Sequence, residues 1–397
     1  MHTTKPEAVK SVKKFNPRNV QIKFQELFDT QPVVVRSPGR INFIGEHTDY
    51  NDGYVMPAAI DRHIVAAVDF SMDTHSTFYS VKHNEFFSFH TSDPARVKSP
   101  LWANYLLGIV RKFADEGNFV KAFNCVIDGD VPTGAGLSSS AALECSFAFA
   151  LNLLHGFNIP KLKLIQIAQW AEHNYAGVKC GIMDQFASVM GMEGKAFVLD
   201  CRSLEYRYFP VDLSETSVIL CDSMVKHSLA SSEYNTRRSE CEEGVSIIRK
   251  YYPEVISLRD ANLSMLENHV SAFPKKVFNR CSYVIQENNR VLQASKDLDN
   301  GDLSAFGKKM YQTHDGLSVL YEVSCDELDF LVEQTKNNSG VLGSRMMGGG
   351  FGGCTINLVA KKTVQKFIAT ITEAYQRRYN VDMNIYDVSL TNGTGLV

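Results

Sequence analysis

The sequence predicts two domains, or one large α/β unit, built from mixed helices and strands, and three observations bear on that expectation. Its 397 residues exceed the roughly 250 to 300 at which a single hydrophobic core stops growing. Strand-like and helix-like segments mix without the regular alternation of a doubly wound parallel sheet. Near Asp212 the pattern turns more helical, with charged stretches at residues 237–243 and 296–302. The expected domains are therefore residues 1–212 and 213–397, with a cleft between them.

In chain order, Val9, Val12 and Phe15, then Ile22, Leu27 and Phe28, fall at partly helical spacing. Gln31-Pro32 ends that helix before a β-branched run at 33–35. Residues 64–70 and 86–90 read as strands with turn signals between them, 101–113 as a helix after Pro100, and 123–127 as a further strand. Two helices follow. One covers 141–155 and stops at Gly156; the other covers 161–176, with Leu162, Ile165, Ala168, Ala171 and Tyr175 at helical spacing up to Gly177. Residues 196–199 read as a strand.

Composition narrows the function. Hydrophobic residues make up 44% and charged residues 21%, which suits a globular enzyme and excludes a disordered or fibrous chain. A net charge of −3 leaves no electrostatic footprint for nucleic acid or an anionic membrane. The nine cysteines include no CxxC pair, and their odd number points to reduced thiols in the cytosol. The longest mainly apolar run, 145–154, is too short for a bilayer, which needs about 20 residues. The first 23 residues carry six Lys/Arg against one Glu, but no apolar stretch follows, so they read as a solvated helix face and not a signal. A cytoplasmic enzyme acting on a small molecule is expected.

The segment Asp130-Val131-Pro132-Thr133-Gly134-Ala135-Gly136-Leu137-Ser138-Ser139-Ser140-Ala141-Ala142 follows a strand and opens a helix. Its glycines let backbone N–H groups approach an anion, the helix N-terminus adds partial positive charge, and three hydroxyls can bind phosphate or complete a cation shell. A Ser-capped helix after a glycine turn is the plain alternative. A second segment, Ser37-Pro38-Gly39-Arg40-Ile41-Asn42-Phe43-Ile44-Gly45-Glu46-His47-Thr48-Asp49-Tyr50, is dense in ionisable residues. Glu46 and Asp49 are suited to gripping the hydroxyls of a polyol, with His47 as a further donor or acceptor; a zinc site and a solvated turn are the rivals.

These motifs resemble those of the GHMP kinases, the family of galactokinase, homoserine kinase, mevalonate kinase and phosphomevalonate kinase. Pro132 to Ala142 looks like the family's second motif, and 37–50 is similar to the galactose signature of its galactokinase branch. The third motif looks like Met346-Met347-Gly348-Gly349-Gly350-Phe351-Gly352-Gly353-Cys354, with a strand at 355–359 behind it. The resemblance spans 36–353 in the expected order. It implies a two-domain α+β fold with an N-terminal domain like domain 2 of ribosomal protein S5, a C-terminal α+β domain, and an active site in the cleft between them.

What the resemblance implies for the site is specific. Gly134, Ala135, Gly136, Leu137, Ser138, Ser139 and Ser140 would cradle the triphosphate of ATP, and Ser140 with Glu172 would hold Mg²⁺. Glu46, His47, Thr48, Asp49, Gly181 and Tyr234 would line the sugar pocket, and Thr48 follows the galactose-type pattern rather than that of N-acetylgalactosamine kinases. In Gly181-Ile182-Met183-Asp184-Gln185, Asp184 would be the base, with Arg40 orienting the anomeric hydroxyl. Trp102 and Tyr105, in Trp102-Ala103-Asn104-Tyr105, would pack against adenine, although spacing alone reads them as a core stripe. The expected reaction is phosphoryl transfer from ATP to galactose, by a monomer. A kinase for another sugar, and a galactose and ATP sensor that regulates transcription, remain the alternatives.

Overall fold

A computed structural model describes residues 15–225 and 230–397. The first helix is Arg18–Phe28; Val9, Val12 and most of the basic N-terminal stretch lie outside the described residues. The strand that follows is longer than its β-branched run suggests. It covers Val33–Asn42, passing through Pro38 and Gly39. It is second in a six-stranded sheet ordered Gly395–Leu396, Val33–Asn42, Pro57–Phe70, Phe123–Gly129, Ser76–Ser80, Glu85–Phe89. Only the Ser76–Ser80 and Phe123–Gly129 pair is parallel.

Strand Ser76–Ser80 was hidden in the sequence between turn signals. Its hydroxylated ends read as loop, but Ser76 is buried because its Oγ accepts a hydrogen bond from Phe123 N at 3.0 Å. The Ser139–His155 helix packs behind this sheet and has buried residues on all sides, because sheet and neighbouring helices cover it together. It ends at Gly156 with φ +64°, and helix Lys161–Ala171 begins after Pro160. That helix widens into a π-turn at Glu172–Ala176, a local distortion that often marks functional sites.

A four-stranded sheet is ordered Val341–Met346, Cys354–Ala360, Thr216–Asp222, Asn384–Val388. One apolar cluster joins the halves, with Ile41, Phe43, Val131 and Leu137 packed together with Val218, Leu220, Ile356 and Leu358. The tail beyond residue 388 crosses back: Ile60 bridges Leu390, and Gly395–Leu396 pairs with Val35 and Arg36. No helix among the described residues is long and apolar enough to cross a membrane. All nine cysteines are free thiols.

Candidate active site

A pocket of about 260 Å³ opens where the loop before helix Ser139–His155, the turn after strand Val33–Asn42, helix Met183–Met190 and the Gly348-Gly349 turn converge. Of the residues singled out in the sequence, it gathers Arg40, Glu46, His47, Asp49, Gly134, Gly136, Leu137, Ser138, Ser139, Ser140, Glu172, Asp184 and Tyr234. Ala135 instead turns into the apolar core.

Arg40 and Asp184 meet at its centre. Arg40 Nε donates to Asp184 Oδ1 at 2.8 Å, Ser138 Oγ donates to Asp184 Oδ2 at 2.6 Å, and Arg40 also donates to the Gly136 carbonyl. Asp184 sits in the first turn of helix Met183–Met190. Arg40 is aimed by a register shift between Pro38 and Arg40 in the strand pairing, a re-aiming that β-irregularities commonly achieve. Burial opposes its charge, but Asp184, Glu46 and Asp49 more than offset that and raise its pKa. Gly136 has φ +76°, and a Cβ there would come within 3.0 Å of the Met347 carbonyl. The phosphate-type loop and the third glycine motif thus touch backbone to backbone.

At one end of the pocket, Glu46 Oε1 accepts from Gly348 N at 2.8 Å and from Arg345 Nη2 at 3.0 Å. Burial would raise its pKa, but Arg345, Arg40 and the Gly348 N–H hold it below the ordinary value. Asp49 goes the other way, pushed to about 7 by burial and then by the charge of Asp184. His47 has φ +62°; burial lowers its pKa to about 4, against the pull of Glu46 and the Gly349 carbonyl. Its ring lies 5.3 Å from that of Tyr234 and 4.9 Å from that of Tyr321.

Two sequence-predicted contacts lie behind the lining rather than in it. The Thr48 hydroxyl donates to the Gly45 and Tyr54 carbonyls at 2.9 and 2.6 Å, so its hydrogen goes to shaping the turn. Gly181 backs Asp49: a Cβ there would fall 2.0 Å from Asp49 Oδ2.

At the other end, Ser140 Oγ donates to Glu172 Oε1 at 3.0 Å. Gln185 Nε2 donates to Glu172 Oε2 at 2.6 Å and to Glu144 Oε2 at 3.1 Å. Burial, then the nearby Asp184 charge, pushes Glu172 to about 7, and burial with Glu172 raises Glu144 well above the carboxylate range. Two oxygens of this kind at the pocket wall suit a hard, partly hydrated cation.

Beyond Ser139 and Ser140, which line both, a second pocket of about 210 Å³ contains Trp102, Tyr105, Lys82, His83 and Thr133. Trp102 Nε1 donates to Glu85 Oε2 at 2.9 Å, which fixes its ring, and Lys82 Nζ donates to Thr133 Oγ1 at 3.0 Å. Sequence reasoning missed Arg345, Glu144, Gln185 and Lys82. A carboxylate four residues after Ser140 in an otherwise apolar helix, and an arginine two residues before Met347-Gly348, were the available signals.

Comparison with known proteins shows the family. Residues 22–70 match the galactokinase galactose-binding signature, 104–192 the GHMP kinases N terminal domain and 294–377 the GHMP kinases C terminal domain. Galactokinase of Thermotoga maritima is 40% identical over 90% of this chain and 98% of its own. Galactokinase of a Roseiflexus species is 39% identical over 94% and 96%. A crystal structure of Lactococcus lactis galactokinase complexed with galactose superposes with a TM-score of 0.91 at 33% identity, covering 96% of this chain and 99% of that one. Methanococcus jannaschii mevalonate kinase shares the fold, with a TM-score of 0.65 at 15% identity. The chain belongs to the GHMP kinase family, in its galactokinase branch.

Proposed function

We propose that this protein transfers the γ-phosphoryl group of ATP to the C1 hydroxyl of galactose. The observation that carries the reading is the Arg40–Asp184 ion pair, at 2.8 Å, between a carboxylate-rich end suited to sugar hydroxyls and a glycine-serine loop suited to phosphate. Asp184 accepts the C1 hydroxyl proton, the C1 oxygen bonds to the γ-phosphorus, and the bond from that phosphorus to the β–γ bridging oxygen breaks, so that ADP leaves with the electron pair. Arg40 orients the acceptor oxygen and offsets charge developing on the phosphoryl oxygens, an effect strengthened by its burial.

Glu46 and Asp49 take sugar hydroxyls, with His47 and Tyr234 beside them. Gly181 and Thr48 act through the residues they hold, Thr48 by shaping the turn that carries His47 and Asp49. Residues 134–140 receive the triphosphate, and Trp102 and Tyr105 wall the adenine. Ser140 and Glu172 would hold Mg²⁺, which neutralises phosphate charge when bound. The domain boundary is placed near Asp212, with the last strand returning to the first sheet, and the enzyme works as a cytoplasmic monomer.

ADP release measured with galactose, glucose and N-acetylgalactosamine tests the reading. Galactose-dependent turnover with strong rejection of glucose is expected, since hydroxyl-reading sites discriminate by up to about 10⁴ to 10⁵. Galactose binding without ADP release would mark a sensor, and faster turnover of the amide sugar would reassign the substrate.

A further inference from the structure

Behind His47 runs a buried hydrogen-bonded chain that the reaction does not itself require. His47 Nδ1 and Tyr50 Oη are 2.7 Å apart, Tyr50 Oη and Tyr321 Oη 2.8 Å, and Tyr321 Oη and Cys241 Sγ 3.2 Å. His47, Tyr321 and Cys241 are buried and Tyr50 is half-buried, and the chain passes from the 45–50 turn to residues far along the sequence. His47 reaches the pocket, where its buried Nε2 makes no hydrogen bond of full geometry among the described residues and has the Gly349 backbone beside it as its protein neighbour. Asn51 Nδ2 anchors the same turn by donating to the His47 carbonyl at 2.9 Å.

Such a chain can run in two directions. In one, the Cys241 thiol donates to Tyr321, Tyr321 to Tyr50 and Tyr50 to His47 Nδ1, so that Nε2 carries the ring hydrogen. In the other, Nδ1–H donates outward and the chain ends on sulfur. The thiol is weak both as donor and as acceptor and does not choose between them, but the 2.7 Å contact fits a donating hydroxyl better than a ring N–H, whose usual distance is about 2.9 to 3.0 Å. We infer that Tyr50 and Tyr321 are positioning residues that fix His47 as an Nε2–H donor, making it read an oxygen acceptor on the substrate. This rests on the galactose reading above for the identity of that substrate, but the tautomer itself does not. The carboxylates Glu46 and Asp49 accept hydrogens from hydroxyls; a donor beside them completes recognition of a group that must both give and receive.

The first test needs no sugar: nitrogen-15 NMR of the histidine rings in wild type, Tyr50→Phe and Tyr321→Phe. Nε2 of His47 is expected to be protonated and Nδ1 bare in wild type, with the tautomers mixing in Tyr50→Phe. A protonated Nδ1 in wild type would overturn the inference. The second test is kinetic. Tyr50→Phe and Tyr321→Phe are expected to raise galactose KM by about tenfold, the loss of roughly one well-placed hydrogen bond, with kcat and ATP KM changed far less. Cys241→Ser, which keeps a donor at the end of the chain, is expected to behave as wild type, and Cys241→Ala to shift in the direction of Tyr321→Phe. Deoxygalactoses removed at one position each locate the contact: the position most penalised in wild type loses its penalty in Tyr50→Phe. Equal falls in kcat and in affinity for both substrates, accompanying a lowered Tm, would show a purely structural role and overturn the inference. A wild-type enzyme inactive on galactose with the expected tautomer would instead fail only the substrate reading.

Discussion

Replacing Gly181 by alanine places a methyl carbon where the Asp49 carboxyl group already lies. The added Cβ falls 2.0 Å from Asp49 Oδ2, 2.2 Å from Cγ and 2.6 Å from Cβ, whereas ordinary contact starts near 3.4 Å. The backbone at Gly181 is outside the left-handed region, so alanine brings no dihedral strain and the effect is a steric push on one side chain. That push must move the carboxylate by about 1 Å or more, a misplacement on the scale that lowers catalysis by about 10². The expected result is a fall of about 10² in kcat/KM for galactose with little change in ATP KM. Overpacking is expected to lower stability by about 1 to 3 kcal/mol. Gly340→Ala is the control, because its Cβ would press on Thr363 Oγ1 at 2.3 Å and neither residue lines the pocket. It should lose stability and keep its galactose KM. Steady-state kinetics with each substrate varied, together with thermal melts, give both readings. A folded Gly181→Ala enzyme whose galactose kinetics stay within about twofold of wild type would refute the idea that Asp49 is held in place to grip the sugar.

Asp184→Asn is expected to lower kcat by about 10² or more, the scale of losing a general base, while galactose still binds in a calorimetric titration; near-normal turnover counts against the role. Trp102→Ala should raise ATP KM by about 10- to 100-fold, since stacking on one base contributes about 1 to 3 kcal/mol, and leave galactose KM alone. Arg345→Ala strips a fully buried arginine from Glu46 and from three backbone carbonyls. Urea unfolding should show a loss of about 3 to 5 kcal/mol. Asp49→Asn tests the raised pKa. The folded carboxyl titrates at about 7 and the unfolded one at about 3.9, so the folded state keeps a proton that the unfolded chain has released. The stability this group contributes is full below about pH 4 and is lost as pH rises through about 7, by up to on the order of 4 kcal/mol. The ligand-free wild type should therefore lose Tm relative to Asp49→Asn between about pH 5 and pH 8; a constant gap would contradict the assignment.

Much of the site was legible because its chemistry is local in sequence. Residues 134–140 form one loop and Glu46, His47 and Asp49 one turn, so motif and site coincide. What stayed hidden is held by distance along the chain. Arg345 reaches Glu46 across 299 positions, and nothing in Ser344-Arg345-Met346 announces a buried cation. Thr48 showed the opposite failure: its neighbours predicted a pocket contact, but local carbonyls claim its hydroxyl. In the fold, helices bounded by proline and glycine were readable. Strand Ser76–Ser80 and the returning Gly395–Leu396 were not, because their pairing partners, and not their own alternation, make them strands.

The strand that carries Arg40 also has a mechanical consequence. Arg40 N donates to the Leu137 carbonyl at 3.1 Å, its side chain holds the Gly136 carbonyl, and Gly39 leaves no room for a side chain against Leu137. Residues 136–138 are therefore bolted to the strand rather than hinged on it. A displacement there would travel through one side chain to Asp184, so the glycine-serine loop and that carboxylate are tied into one mechanical unit.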